Sequence, residues 1–230
     1  MGIEAFETIF ARAAKRKGGK GALEEILKLR AYDDRSPAAI AALSDDRILA
    51  EMTKRVFQAG FNWSVIEKKW LGFEQAFERF DVGRWTLMSD DDLDRLVADE
   101  RIVRHAKKIQ SVRDNAIFLR DLAAEHGKPA TAVIAHWPNA DYVGLLDLLK
   151  RKAARMGGTS SQYFLRGIGK ESFVLGGDVV RALIETGVVE KAPTSKAALA
   201  AVQVAFNAWQ QESGRSFSEI SRILALSTGD

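Results

Sequence analysis

Two short stretches of this sequence carry residue types that packing alone does not ask for. The first is Met156-Gly157-Gly158-Thr159-Ser160-Ser161-Gln162-Tyr163, preceded by Lys150-Arg151-Lys152. Two glycines ahead of a helix let a backbone approach a ligand closely, and the first N–H groups of a helix have no intrahelical partner. Such a start suits a phosphate, and the basic residues before it extend the fit to a nucleic-acid backbone. The plainer reading is a Gly-rich turn between two helices. The second stretch is Val56-Phe57-Gln58-Ala59-Gly60-Phe61-Asn62-Trp63-Ser64-Val65-Ile66. It predicts a helix ending at Gly60, an exposed Phe-Asn turn, and a new helix opened by Trp63. Phe61 and Trp63 read either as an apolar wedge beside a flat wall for a planar ligand, or as ordinary core.

The elements around these stretches are helical throughout. Apolar residues recur at three- and four-residue spacing in Ile3, Phe6, Phe10 and Ala13, and again in Ile48, Met52, Val56 and Ala59. The run Ile102, Ala106, Ile109, Val112, Ala116 and Leu119 repeats it, as do Leu199, Val202, Phe206 and Trp209, then Phe217, Ile220 and Leu224. Ser89-Asp90-Asp91-Asp92 and Ser216-Phe217-Ser218-Glu219 are capping boxes, and Asp141 precedes the apolar run Tyr142 to Leu149. No segment alternates with β-branched enrichment. The expected class is all-α, with about a dozen short helices. Breaks fall at Gly18-Gly19-Lys20-Gly21, at Asp33 to Pro37 and at Lys191 to Ser195. They predict an N-terminal helical segment 1–43, a core 44–189, and C-terminal helices 190–230 that pack with the N-terminal segment.

Composition narrows the chemistry. The 230 residues suffice for one large domain or two packed lobes, and 47% hydrophobic against 28% charged residues excludes disorder over most of the length. Zero Cys excludes disulfides, a thiol nucleophile, a Cys zinc site and an iron–sulfur cluster, and three scattered His (His105, His126, His136) do not make a metal centre. The sequence thus calls for neither metal nor cofactor. No apolar run suits a membrane span, and Met1-Gly2-Ile3-Glu4 has neither a signal-peptide pattern nor, with Phe6 following, a myristoylation pattern. A cytoplasmic monomer is expected. Charge is nearly balanced, with 34 basic and 31 acidic residues, but the basic ones cluster at Arg12 to Lys20, Arg101 to Arg113 and Lys150 to Arg155. Such clusters are either solvated helix surface or one face that meets a polyanion.

Gln58-Ala59-Gly60-Phe61-Asn62-Trp63 resembles the Q-A-G-x-x-W signature of the DNA-3-methyladenine glycosylase I family. The resemblance continues through Phe73, Phe77 and Phe80-Asp81, then the run Leu96 to Gln110 with Arg104-His105 and Lys108, and resumes at Gly158-Thr159 and Tyr163. It covers about Asp45 to Val189. It implies a two-lobed helix-hairpin-helix DNA glycosylase fold with a base pocket in the cleft between the lobes. It also implies that Gly157-Gly158-Thr159, with Arg104 and Lys108, holds DNA phosphate. Phe61 would be the wedge, and Trp63 and Tyr163 would belong to the pocket. The implied reaction is hydrolysis of the N-glycosidic bond of alkylated purines in double-stranded DNA, as in base-excision repair. A damaged base must leave the stack, which such a wedge and aromatic pocket accommodate.

Departures from the family pattern bear on the chemistry. The family's zinc site, built from Cys and His, cannot form without Cys. Arg55 stands where the family's pocket carboxylate falls, and Glu51, one turn earlier, is the candidate replacement. The wider superfamily places a catalytic Asp five residues before a basic position; here Gly176 holds that offset from Arg181, and Asp178 lies two residues on. Asp178 is then a relocated electrostatic group or a helix N-cap. His105 reads as a surface or hinge residue. No Lys is placed for a Schiff base, so no lyase step is expected. The alternatives are a lesion-binding module that kept the fold without the chemistry, and a helical interaction protein that does not bind DNA.

Overall fold

The computed structural model describes residues 3–29 and 31–229. Met1 and Gly2, part of the pattern read at the start of the chain, lie outside the described residues. In chain order the helices are α1 (Phe6–Arg16), α2 (Lys20–Leu29), α3 (Pro37–Ala41), α4 (Asp45–Gln58), α5 (Trp63–Ala76), α6 (Val82–Trp85) and α7 (Asp90–Ala98). They continue with α8 (Ala106–His126), α9 (Ala130–Ala135), α10 (Tyr142–Lys152), α11 (Thr159–Gly167), α12 (Gly177–Glu185), α13 (Lys196–Ser213) and α14 (Phe217–Ser227). Among the described residues there is no strand, and the all-α expectation holds. No helix among them is long and apolar enough to cross a membrane.

Local chemistry sets the helix ends. Ser89 with Asp92 and Ser216 with Glu219 form the reciprocal capping boxes that their spacing predicts. Ser36 caps α3 ahead of Pro37 at its first turn. The joint at Gly18 to Gly21 is shorter than expected: only Gly18 and Gly19 stay outside the helix, at φ 90° and 111°. Lys20 and Gly21 join α2, whose buried Leu23 and Leu27 lie one turn apart and extend it.

The chain divides into two compact units. One comprises the described residues of 1–35, 138–144 and 169–230. Within it α1, α12 and α13 all pack on α14. Phe173 stacks 4.2 Å from Phe206 and meets Tyr142 edge-on at 4.6 Å. Trp209 donates its indole N–H to the Glu4 carbonyl at 2.8 Å. The other unit holds residues 36–137 and 145–168. Its 21-residue helix α8 carries α4, α6, α7 and α9. Beside it Phe57, Phe73, Phe77, Phe80 and Trp85 form one buried aromatic series.

These divisions differ from the segments 1–43, 44–189 and 190–230. Residues 169–189 group with the terminal helices because the Ser172 and Val174 amides donate to the Ser218 and Ser221 hydroxyls of α14, each at 3.2 Å. Residues 36–43 group with the second unit because α3 packs on α9. Helix α10 belongs to both, changing unit between Gly144 and Leu145.

Candidate functional site

Everything in this site lies within the second unit. Helix α4 ends at Gln58, Ala59 is extended, and Gly60 turns with φ 76°, a left-handed value that favours glycine. The Phe61 amide donates back to the Gln58 carbonyl at 3.1 Å. Asn62 then caps α5, its Oδ1 accepting from the Ser64 amide at 3.0 Å. This turn presents Phe61 at 40% and Trp63 at 42% exposure, so the ordinary-core reading of the two rings does not hold.

Lys108 supports the turn from beneath. Its ammonium donates to the Ala59 carbonyl at 2.6 Å and the Phe57 carbonyl at 3.3 Å, and lies 4.5 Å from the centre of the Phe61 ring. The cation thus covers carbonyls that the C-terminus of α4 leaves open. Burial, with the charge of Arg155, pushes the Lys108 pKa down. The expected phosphate role of Lys108 is therefore corrected: the side chain is buried and holds protein carbonyls. The sequence carried the signal, since Lys108 stands one turn before the core residue Val112. Arg104 is exposed, with Glu100 3.8 Å away. His105 stands at the N-cap position of α8 and makes no side-chain cap bond.

The glycine stretch joins α10 to α11. Asn115, buried in α8, clamps it from both sides: its Oδ1 accepts from the Ala154 amide at 2.8 Å, and its Nδ2 donates to the Ala154 carbonyl at 3.2 Å. Met156 is buried beneath the turn. Gly158 has φ 59° and ψ −136°, a backbone region open essentially to glycine alone. It occupies the N-cap position of α11 and brings no side chain to the opening N–H groups. Gly157, Gly158 and Thr159 are exposed. Of the preceding basic residues, Arg151 pairs with Asp147 at 2.8 Å and Lys152 with Glu125 at 2.6 Å.

Between these two turns lies a cavity of about 290 Å³, lined by Arg55, Gln58, Phe61, Trp63, Ser160 and Tyr163 among others. Trp63 and Tyr163 meet edge to face at 4.9 Å, and the Arg55 guanidinium lies 5.6 Å from the centre of the indole. A wider open depression of about 750 Å³, beside Arg47, Leu71 and Glu74, lacks such walls; Arg47 and Glu74 pair across it at 2.8 Å.

A polar chain runs along α4 behind the aromatic pair. Arg55 donates from Nε to Glu51 Oε1 at 2.6 Å, and from Nη1 to Gln58 Oε1 at 2.8 Å. Buried Gln58 donates onward to Glu67 at 2.9 Å, which also pairs with Lys54 at 2.7 Å. Glu51 was the candidate carboxylate for the pocket. Instead its charge is committed to Arg55, and both side chains lie against Gly167 of α11, where a Cβ would oblige their ends to shift. Sequence reasoning placed Arg55 and Glu51 but missed the network that aims the guanidinium, because it runs on from Gln58 of α4 to Glu67 of α5.

Asp178 belongs to the other unit. It is exposed in the first turn of α12, 3.8 Å from Arg181, and Gly176 takes the N-cap position that Asp178 was expected to fill. The backbone is already extended at Gly176, so the helix begins before the carboxylate is reached.

Comparison with known proteins bears on these features. A family model described as methyladenine glycosylase matches residues 27–172. The DNA-3-methyladenine glycosylase 1 of Escherichia coli (strain K12) is 39% identical over 59 residues, which are 26% of this chain and 32% of that protein. The matched stretch thus spans about a third of that relative's length. Among solved structures, the 8-oxoguanine DNA glycosylase of Methanocaldococcus jannaschii is similar with a TM-score of 0.55 at 12% identity, over 95% of this chain and 92% of that one. The 8-oxoguanine DNA glycosylase of Thermotoga maritima gives 0.52 at 14% identity, over 95% of each chain. These two likenesses show a shared helical fold. The family match covers more than half of the sequence and includes both turns and the cavity between them: the chain belongs to the methyladenine glycosylase family.

Proposed function

We propose that this protein is a DNA N-glycosylase that hydrolyses the N-glycosidic bond of alkylated purines in double-stranded DNA, the opening step of base-excision repair. The observation that carries this reading is the exposed Phe61 ring beside a cavity walled by Trp63 and Tyr163. In this reading Phe61 fills the gap left in the base stack and the extruded base enters the cavity. Gly157, Gly158 and Thr159 present backbone N–H groups to a phosphate, and Arg104 supplies charge nearby. These contacts are blind to sequence, as removal of scattered lesions requires.

The reaction breaks the C1′–N bond, with the bonding pair passing to the base. Water forms the new bond to C1′ and gives its proton to solvent. A purine alkylated on a ring nitrogen is already an activated leaving group, so selective binding supplies much of the discrimination. Neither Glu51, committed to Arg55, nor Asp178, paired with Arg181 in the other unit, is given a proton-transfer role here. Lys108 is occupied by carbonyls, which supports simple hydrolysis without a lysine adduct. The working form is a monomer acting inside the cell, with the terminal helical segments serving the core that carries the site.

The test is direct. The protein is incubated with methylated duplex DNA and the free bases are separated and identified by mass spectrometry. Release of alkylated purine with abasic sites left in the strand is expected. Binding without release of any base would instead support a lesion-binding module.

A further inference from the structure

The cavity beside Trp63 has a donor character that selects among purines, and this inference rests on the glycosylase reading above. A guanidinium has five N–H donors and no acceptor. In Arg55 the Nε donor goes to Glu51 Oε1 at 2.6 Å and one Nη1 donor goes to Gln58 at 2.8 Å, while Nη2 lies 2.5 Å from the same Glu51 oxygen. Each terminal nitrogen therefore keeps one N–H outside these bonds. Contacts on both sides fix the plane of the group, and it lines the cavity next to the indole.

Several acceptors of the neighbourhood already carry a hydrogen bond. The Phe57 and Ala59 carbonyls accept from Lys108, the Gln58 carbonyl from the Phe61 amide, and the Gln58 side-chain oxygen from Arg55 itself. The other side-chain polar groups at the cavity are the Gln58 amide nitrogen, which donates to Glu67, and the hydroxyls of Thr159, Ser160 and Tyr163, which donate or accept as needed. Arg55 is the charged side chain among the lining residues, and it can only donate.

We infer that Arg55 is a specificity-determining residue that makes the pocket prefer an N3-alkylated guanine over an N3-alkylated adenine. The O6 and N7 atoms of guanine form an acceptor pair that a guanidinium meets with two parallel hydrogen bonds. Adenine sets an amino donor against the same fork. Alkylation at N3 leaves the O6/N7 edge intact and destabilises the glycosidic bond, so undamaged guanine is bound without being released. Glu51 offsets the charge of Arg55, which lets an alkylated, positively charged base approach.

The test uses the full chain and two readouts. Duplex DNA treated with a methylating agent supplies both lesions, and initial rates of 3-methylguanine and 3-methyladenine release are compared after correction for lesion abundance. Calorimetric titration with each free base reads binding without chemistry. Preference for the guanine base by about tenfold or more is expected in both. Arg55→Gln, which retains one donor and adds an acceptor, brings that ratio near one. Arg55→Lys, which keeps the charge and loses the fork, also lowers it. Equal or faster release of 3-methyladenine by the wild-type protein overturns the inference, as does an unchanged ratio in folded Arg55→Gln. Should no base be released while 3-methylguanine still binds more tightly, the selectivity stands and the glycosylase reading fails.

Discussion

The Lys108 ammonium sits 2.6 Å from the Ala59 carbonyl, joining the start of α8 to the end of α4 directly under Phe61. A lysine in a basic run would ordinarily be assigned to the DNA backbone. Here it governs the shape of the turn that carries the wedge.

Lys108→Met therefore separates two kinds of effect. Two carbonyls lose a buried donor, so stability falls by about 1–3 kcal/mol. The slope of log affinity for undamaged duplex against log salt stays unchanged, because no phosphate contact is lost. Chemical denaturation and salt titrations read the two quantities. A slope lower by about one would restore Lys108 to the DNA interface.

The Asn115 clamp predicts a coupled loss. Asn115→Ala removes both hydrogen bonds to Ala154 and empties a buried position. We expect about 1–3 kcal/mol of destabilisation, with weaker binding to every DNA sequence as the glycine turn loosens. Full affinity in a destabilised variant would show that the turn keeps its form without Asn115.

Gly158→Asp and Trp63→Ala should fail differently. The first forces a side chain and a negative charge into a backbone conformation that glycine alone tolerates, so binding falls for damaged and undamaged duplex alike and the salt slope flattens. The second removes a half-exposed wall. Excision collapses, stacking worth ~1–3 kcal/mol is lost, and helicity by circular dichroism is retained. Unfolding of Trp63→Ala would instead return Trp63 to the core.

Two carboxylates held by arginines contribute to acid stability. Hydrogen bonds from Arg84 hold Asp92 well below the usual carboxylate range, and Arg101 lowers Asp99 in the same way. Because the folded-state values lie below the unfolded ones, the stabilisation is complete above about pH 4 and is lost as pH falls through the folded values. In Arg84→Gln the thermal midpoint drops at neutral pH and its decline below about pH 4 becomes shallower. A parallel decline in both proteins would remove Asp92 from the acid transition.

Helix positions were legible because they depend on local signals. Capping at Ser89 and Ser216, and the periodic faces of α1, α8 and α13, involve residues a few positions apart. The exposed Phe61-Asn62 turn was legible for the same reason. The partition into units was not. Residues 169–189 read as an extension of the core, yet their backbone amides find hydroxyls on α14, more than 40 positions away. The pocket's aromatic members could be named from motif resemblance, whereas the orientation of Arg55 depends on Glu51, Gln58 and the bare backbone of Gly167 together. Lys108 shows a further limit: it stands one turn before Val112 of the periodic run, yet its charge and the basic residues around it suggested a surface contact.

Helix α10 begins in one compact unit and ends in the other, and this has a consequence during synthesis. The unit bearing the cavity has all its residues once position 168 has left the ribosome, while α1 must wait for α14 near position 217. At roughly 5–20 residues per second, α1 remains without its principal partner for about 10–40 s. Over that time α2 is the neighbour that α1 has, and the burial of Phe6, Ile9, Phe10 and Ala13 is completed only with α13 and α14. The nascent chain thus holds α1 apart from its principal partner while α2 to α13 are made.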